Sequence, residues 1–155
     1  MSRIANLKGP MGLRDLDATP EPKPRKPMPR KSEKRIAYEK SPEGQAILIY
    51  MGYVKQLPCC ICDAFGMIPD GSSDAHHPIH GRFSSRKAPG QNVIPVCPGH
   101  HQGLWGSDKI AIHAEPSKWK RLYGPDTDYI AVTQDKVARL FGYEIDAVLT
   151  TLRPE

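Results

Sequence analysis

The sequence has few aromatic residues and no long apolar run. Phe, Trp and Tyr together make up 7% of the 155 residues, and there are only four cysteines. No segment approaches the roughly 18 apolar residues needed to cross a bilayer, and residues 1–22 lack the apolar core of a secretory signal. We therefore expect a cytoplasmic protein without membrane association, in which the cysteines bind metal or pack rather than form disulfides.

The positive charge lies at the N-terminus. Residues 1–40 contain 11 Lys or Arg and 5 Asp or Glu, a net charge of +6, whereas the rest of the chain is close to neutral. Residues 20–35 hold five prolines and seven basic residues, a composition typical of an extended, solvated segment. We predict a disordered Pro/Lys/Arg-rich arm over residues 1–37. It is either a simple linker or a DNA tether, with these candidate phosphate contacts: Arg25, Lys26, Arg30 and Lys31.

The remaining chain is long enough for one modest domain. Ser41 as N-cap and Pro42 at the first position predict a helix over 42–55. A strand is predicted over 91–96, with a weaker one over 72–77. Ser117 is a candidate cap for a short helix, and another helix is expected over 127–140. The apolar faces of the two longer helices predict these core residues: Ala46, Ile47, Ile49, Tyr50, Tyr53, Val54, Tyr129, Ile130, Val132, Val137 and Leu140.

Two short motifs have the spacing of zinc ligands. Cys59-x-x-Cys62 and Cys97-x-x-His100 are about 34 residues apart, which fits a tetrahedral Cys₃His site. The intervening segment is rich in Gly, Pro and Ser and has too few apolar side chains for a core of its own. A structural Zn²⁺ is therefore predicted. Cys60 is left over, either as a buried thiol or as a replacement for one of these ligands.

Three of the six histidines fall within residues 75–82, "AHHPIHGR". Neighbouring residues of a helix diverge by about 100°, so His101 should face away from any ion that His100 binds. Neighbouring strand residues alternate between faces, so His76 and His77 are not expected to bind one ion in the same way. These side-chain directions favour a second site besides the zinc site, in which one histidine binds metal and another acts on a water molecule beside it.

The order "HH", Asn92, "HH" between the two zinc motifs resembles the HNH (ββα-metal) endonuclease family. The intervals of fifteen and nine residues from His77 through Asn92 to His101 are close to that family's pattern. The segments "LPCCIC", "AHHPIHG", "VIPVCPGHHQG" and "AIHAEPSKWKRLYG" resemble phage HNH proteins related to the phage recombination-enhancement nuclease. This resemblance covers roughly residues 38–124.

The resemblance implies a role for each matching residue. His77 would be the general base, His76 and His101 would bind the catalytic ion, and Asn92 would orient the base through a hydrogen bond and brace the hairpin. Some family members have a further ligand one helical turn after the last histidine, but that position is Trp105 here. His113 is the remaining candidate for the third ligand. The resemblance implies Mg²⁺ or Mn²⁺, whereas imidazole ligands also suit Zn²⁺ or Ni²⁺.

The sequence predicts the roles of five other residues near this site less sharply. His80 is expected to be an exposed loop residue or a hydrogen-bonding partner rather than a ligand. Trp105 is expected to be a hydrophobic plug in preference to a base-stacking platform. In the loop after His77, the following basic residues either contact phosphates or form a solvated face: Arg82, Arg86 and Lys87.

The predicted fold is a small α+β domain over residues 38–142, a zinc-stapled ββα-metal domain with flanking helices, followed by a tail over 143–155. The resemblance implies metal-dependent endonucleolytic hydrolysis of DNA phosphodiester bonds. The protein would be phage-encoded, would act in DNA recombination or processing in a bacterial host cell, and would have a phage or host recombination protein as a candidate partner. The alternative is a zinc-stabilised DNA-binding module without catalytic activity.

Overall fold

The computed structural model describes residues 31–152, which form a small mixed domain of helices and one two-stranded antiparallel sheet. Three 3₁₀ turns, Gly81–Phe83, Gly90–Asn92 and Asp126–Asp128, connect the longer elements. In chain order those elements are α1 (Glu33–Lys40), α2 (Pro42–Val54), α3 (Cys60–Phe65), β1 (Asp74–His76), β2 (Ile94–Val96), α4 (Pro98–His101), α5 (Pro116–Tyr123), α6 (Tyr129–Phe141) and α7 (Ile145–Thr151).

The first two helices each begin at a serine cap. Ser32 Oγ accepts a hydrogen bond from Arg35 N–H at the start of α1, and Ser41 Oγ accepts one from Gly44 N–H at 3.1 Å at the start of α2. The predicted arm is therefore too long, because α1 already begins at Glu33. Residues 1–30, which include three of the predicted DNA contacts, lie outside the described residues.

Strands β1 and β2 pair with each other in the sheet, and β2 leads directly into α4. Asp74 pairs with Val96 and His76 with Ile94. The predicted strand over 91–96 is shorter than expected, because Gly90–Asn92 forms a 3₁₀ turn. Cys97 then caps α4, so two strands and a helix follow one another in the order predicted.

Two apolar clusters form the core. The first lies between α2, α6 and α7 and contains Tyr50, Val54 and Val137. The second surrounds the cysteines and contains Trp119 and Ile112. The predicted core is wrong in three places, because the following side chains point outward from their helices and are 49–67% exposed: Ile49, Val132 and Leu140.

The C-terminal part of the domain also differs from the prediction. Helix α5 begins at Pro116 after Glu115, so Ser117 is not its cap. The predicted tail contains α7, which packs Ile145 and Leu149 into the first cluster. Residues 143–152 are therefore part of the domain. Within residues 31–152, every helix is too short or too polar to cross a membrane.

Candidate metal centres and active site

The four predicted zinc ligands come together in a buried cluster. Cys59 precedes α3 and Cys62 lies in its first turn, while Cys97 caps α4 and His100 lies within that helix. His100 Nδ1 is 3.5–3.6 Å from each of the three sulfur atoms, and the Sγ atoms of Cys62 and Cys97 are 3.8 Å apart. All four cysteines are unbridged thiols, and Cys60 lies outside the cluster.

These distances fit a tetrahedral zinc ion. Zn–S bonds of about 2.3 Å and a Zn–N bond of about 2.0 Å, at tetrahedral angles, give S···S separations of about 3.8 Å and S···N separations of about 3.5 Å. Burial, and then the nearby Lys109 ammonium, lower the pKa of His100 to about 4, so its imidazole is neutral and can donate a lone pair. Burial raises the pKa of Cys59 and Cys62, so an ion that binds their thiolates must displace two protons. The cluster therefore suits a structural metal such as zinc.

A second cluster consists of three imidazoles. The rings of His76, His101 and His113 form a nearly equilateral triangle, with centroids 5.0–5.1 Å apart. One ligand atom from each residue lies within 4.8 Å of the others. His76 is buried at 2% exposure, whereas His113 is exposed. An ion held by three neutral nitrogens on the open side of this triangle would keep coordination positions for water or substrate.

Carboxylates hold two of these imidazoles. Asp74 Oδ2 lies 3.3 Å from His101 Nδ1, and Asp126 Oδ2 lies 3.4 Å from His76 Nε2. A carboxylate on one ring nitrogen fixes the ring and leaves the lone pair of the other nitrogen for an ion. Burial lowers the pKa of His101, and the neighbouring His76 lowers it further. Burial also lowers the pKa of His113, so both rings stay neutral near pH 7.

Asp126 was not identified from the sequence. Its side chain is fully buried and accepts hydrogen bonds from the backbone N–H groups of Ile79, at 2.7 Å, and His80, at 3.1 Å. Burial raises the pKa of this carboxyl, but its hydrogen bonds with His76 and the two amides outweigh burial and hold the pKa below its ordinary value. The residue is thus ionised and anchors the segment that follows β1.

His77 is held apart from the three-imidazole cluster. Its Nδ1–H donates to the Ala88 carbonyl at 2.9 Å, which leaves the Nε2 lone pair available. Burial, and then the positive charge of Lys87, lower the pKa of His77. The residue is therefore neutral at pH 7, the protonation state that a general base requires.

A single cavity of about 550 Å³ connects His77 with the three-histidine cluster. His77 lines it together with all three imidazoles of the second cluster. Arg86 and Lys87, two of the predicted phosphate contacts, line the same cavity. Two more of the seven predicted contacts lie within residues 31–152: Arg82 places its guanidinium 4.8 Å from the Phe83 ring, and Lys31 pairs with Glu39 at 2.6 Å.

The structure gives Asn92 a different contact from the one the resemblance implies. Its backbone N–H donates to the Pro89 carbonyl at 3.0 Å and closes the 3₁₀ turn. The group that orients His77 is the carbonyl of Ala88, immediately before this turn. Asn92 therefore braces the backbone beside the contact, and the predicted direct hydrogen bond to His77 is replaced by that of Ala88.

His80 and Trp105 occupy contrasting positions. His80 lies next to Asp126, its Nε2–H donates to the Pro116 carbonyl at 3.2 Å, and its ring stacks on Trp119. It belongs to neither metal-ligand cluster. Trp105 is 101% exposed, so the expectation of a hydrophobic plug is wrong.

These features define a small mixed α/β domain with a buried Cys₃His metal-ligand cluster and a second, more open cluster of three histidines. The chain belongs to the family described as "Protein of unknown function (DUF968)", whose model matches residues 14–140. No curated protein and no solved structure matches the chain.

Proposed function

We propose that this protein is a metal-dependent HNH endonuclease that hydrolyses DNA phosphodiester bonds. The observation that carries the proposal is that His77 lines the same cavity as His76, His101 and His113. The cavity thus combines a neutral imidazole, whose Nδ1 is already hydrogen-bonded, with three further imidazoles suited to a divalent ion. The resemblance to phage HNH proteins suggests a role in DNA recombination or processing.

The two clusters would hold different ions. The Cys₃His cluster would bind a structural Zn²⁺, and the three imidazoles would bind Mg²⁺ or Mn²⁺, with Zn²⁺ or Ni²⁺ also compatible with nitrogen ligands. A divalent ion in the second cluster would supply charge stabilisation for the transition state and for the departing oxygen. The carboxylates of Asp74 and Asp126 fix the rings that present the ligand atoms.

His77 performs the proton transfer in the proposed reaction. Its Nε2 removes a proton from a water molecule, and the resulting hydroxide attacks phosphorus as the bond to the 3′-oxygen breaks. The departing 3′-oxygen takes a proton from solvent water, so the products are a 3′-hydroxyl and a 5′-phosphate end, and His77 later returns its proton to solvent. The Ala88 carbonyl keeps the proton on Nδ1 and so maintains the tautomer that accepts at Nε2. Arg86 and Lys87 offer positive charge to the phosphate at the cavity wall.

Cleavage of supercoiled plasmid in Mg²⁺ or Mn²⁺ tests this proposal. His77→Gln keeps an N–H group for hydrogen bonding but lacks a base, so we expect the cleavage rate to fall by about 10²- to 10⁴-fold. Zinc content and Mn²⁺ affinity should stay close to those of the wild type. Cys60→Ser, outside both clusters, is the matched control and should cut at nearly the normal rate. Unchanged cutting by His77→Gln would overturn the base assignment.

The competing function is DNA binding without catalysis. The buried zinc-ligand cluster and the basic side chains at the cavity would serve that function equally well. It predicts salt-dependent DNA affinity and no cutting of supercoiled, linear or single-stranded DNA by the wild-type protein with either ion. That combination of results would replace the nuclease by a zinc-stabilised binding module.

A further inference from the structure

Trp105 is the most exposed large hydrophobic side chain among residues 31–152. Its exposure is 101%, and the adjacent Leu104 is 48% exposed. The other tryptophan of the chain, Trp119, is fully buried. A bare indole gains nothing from burial or from a hydrogen bond within the domain. Its position therefore points to a contact outside residues 31–152.

The loop that carries Trp105 begins and ends at the three-histidine cluster. His101 precedes the loop and His113 follows it, and their rings are 5.0 Å apart. Backbone hydrogen bonds from Ile112 N–H to His100 O at 2.8 Å and from His113 N–H to His101 O at 3.2 Å close its base. Trp105 is four positions after His101, so their Cα atoms are at most about 14 Å apart.

The tip of this loop has a defined turn. Ser107 N–H donates to Leu104 O at 3.0 Å, and Gly106, at the third turn position, has φ +78°. That combination is typical of a type II turn, with Trp105 at its outer corner. Asp70 anchors the following residues, because it accepts hydrogen bonds from Ser107 Oγ at 3.0 Å and Lys109 Nζ at 2.6 Å.

We propose that Trp105 stacks on an unpaired base of the DNA substrate, a few nucleotides from the phosphate that is cut. This inference rests on the proposed function in that it takes DNA as the substrate, and it adds which form of DNA is preferred. An exposed aromatic ring beside a cationic phosphate site is the combination by which proteins bind single strands without reading their sequence. Here Arg86 and Lys87 line the cavity, and the exposed ring of Trp105 lies outside it, four positions along the chain from the cavity residue His101.

An unpaired base suits the geometry better than a base within a duplex. Stacked neighbours cover both faces of a paired base, and an inserted side chain must first separate them at an energetic cost. An unpaired base offers a free face to a single exposed indole. The substrate class is therefore single-stranded DNA, or duplex DNA with an unpaired segment next to the cleavage point.

Tryptophan fluorescence reports directly on this contact, because Trp105 is the exposed member of the only two tryptophans. The titration uses the full chain with bound zinc and no Mg²⁺ or Mn²⁺, and oligothymidylate as the probe. We expect quenching of the long-wavelength emission of Trp105. An abasic oligonucleotide of the same length should leave the emission nearly unchanged, and duplex DNA should quench it much less. Equal quenching by the abasic strand would overturn the proposal, as would equal quenching by the duplex.

Substitutions separate stacking from general affinity. Trp105→Ala should weaken binding of single-stranded DNA by about 5- to 150-fold and leave duplex affinity nearly unchanged, while Trp105→Phe should restore part of the loss. Leu140→Ala, which removes another exposed apolar side chain from α6, is the matched control and should bind like the wild type. A Kd for single strands that is unaffected by Trp105→Ala would overturn the inference.

The nuclease proposal and the base contact can fail separately. His77→Gln should lose cutting but keep full quenching, since His77 takes no part in stacking. Quenching without any cutting by the wild type would support the base contact and end the nuclease proposal. Cutting without quenching would support the nuclease and end the base contact.

Discussion

The carboxylate of Asp126 lies 3.4 Å from Nε2 of His76, although the two residues are 50 positions apart in the sequence. Both side chains are buried, at 0% and 1% side-chain exposure. Asp126 also accepts two backbone hydrogen bonds from the segment after β1. One buried carboxylate thus connects the start of α6 to a candidate metal ligand on the sheet and fixes the chain on either side of His77.

Replacing Asp126 should weaken the second metal site more than the first. Asp126→Asn keeps an oxygen for the Ile79 amide but removes the charge beside His76, so we expect a 10- to 100-fold loss of Mn²⁺ affinity. Electron paramagnetic resonance titration of Mn²⁺ measures this loss, and zinc content should be unchanged. Asp74→Asn is the matched control. Its side chain is 55% exposed, so its effect should be smaller, and equal losses would contradict the importance of burial.

The Cys₃His cluster should be required for folding. Cys62→Ser removes one ligand, and we expect loss of zinc and of cooperative thermal unfolding, since structural zinc supplies folding free energy in small domains. Cys60→Ser changes a neighbouring buried thiol that is not in the cluster and should retain zinc. Zinc analysis and circular dichroism measure both effects. Zinc loss in Cys60→Ser would mean that the ligands have been assigned wrongly.

The basic side chains at the cavity should contribute through phosphate contacts. Arg86→Ala or Lys87→Ala should each reduce the slope of log K against log salt by about 0.7 on single-stranded DNA and about 0.9 on duplex. Arg139→Ala is the control, because Arg139 pairs with Asp135 on α6 at 2.6 Å and does not line the cavity. Binding measured at several salt concentrations gives the slopes. An unchanged slope in both cavity variants would exclude the contact.

Helix α7 should stabilise the domain rather than act as a tail. Leu149 is 5% exposed within the first core cluster, and Leu149→Ala should lower the free energy of unfolding by about 2–3 kcal/mol. Leu140→Ala removes the same number of atoms from a side chain that is 67% exposed, and should cost much less. Urea denaturation compares the two variants. Similar losses would show that burial of Leu149 adds nothing.

Local features of the fold could be predicted from the sequence because short-range geometry determines them. Ser41 and Pro42 define the start of α2 through a cap that spans three residues. The Cys-x-x-Cys and Cys-x-x-His spacings each fit one tight turn, which is why the sequence alone indicates the two residue pairs of the buried Cys₃His cluster. The divergence of His100 and His101 likewise follows from helical geometry alone.

Long-range contacts could not be predicted in the same way. The contact of Asp126 with His76 depends on how α6 packs against the sheet, and a single aspartate in a loop has no periodic signal. Trp105 was misassigned because an apolar side chain is usually buried, yet a type II turn points it outward. Helix α7 did have a signal that was missed, since Ile145, Val148 and Leu149 follow the i, i+3, i+4 spacing of an apolar helical face.

The adjacency of His100 and His101 ties the two clusters together through a single peptide unit. Inserting one residue between them would turn one ring by about 100° relative to the other. Restoring the direction of one ring would then move the other ring out of its cluster. Over evolutionary time the interval at this point should tolerate no length change. Insertions in relatives of this chain should instead accumulate in segments that carry no residue of either cluster or of the cavity.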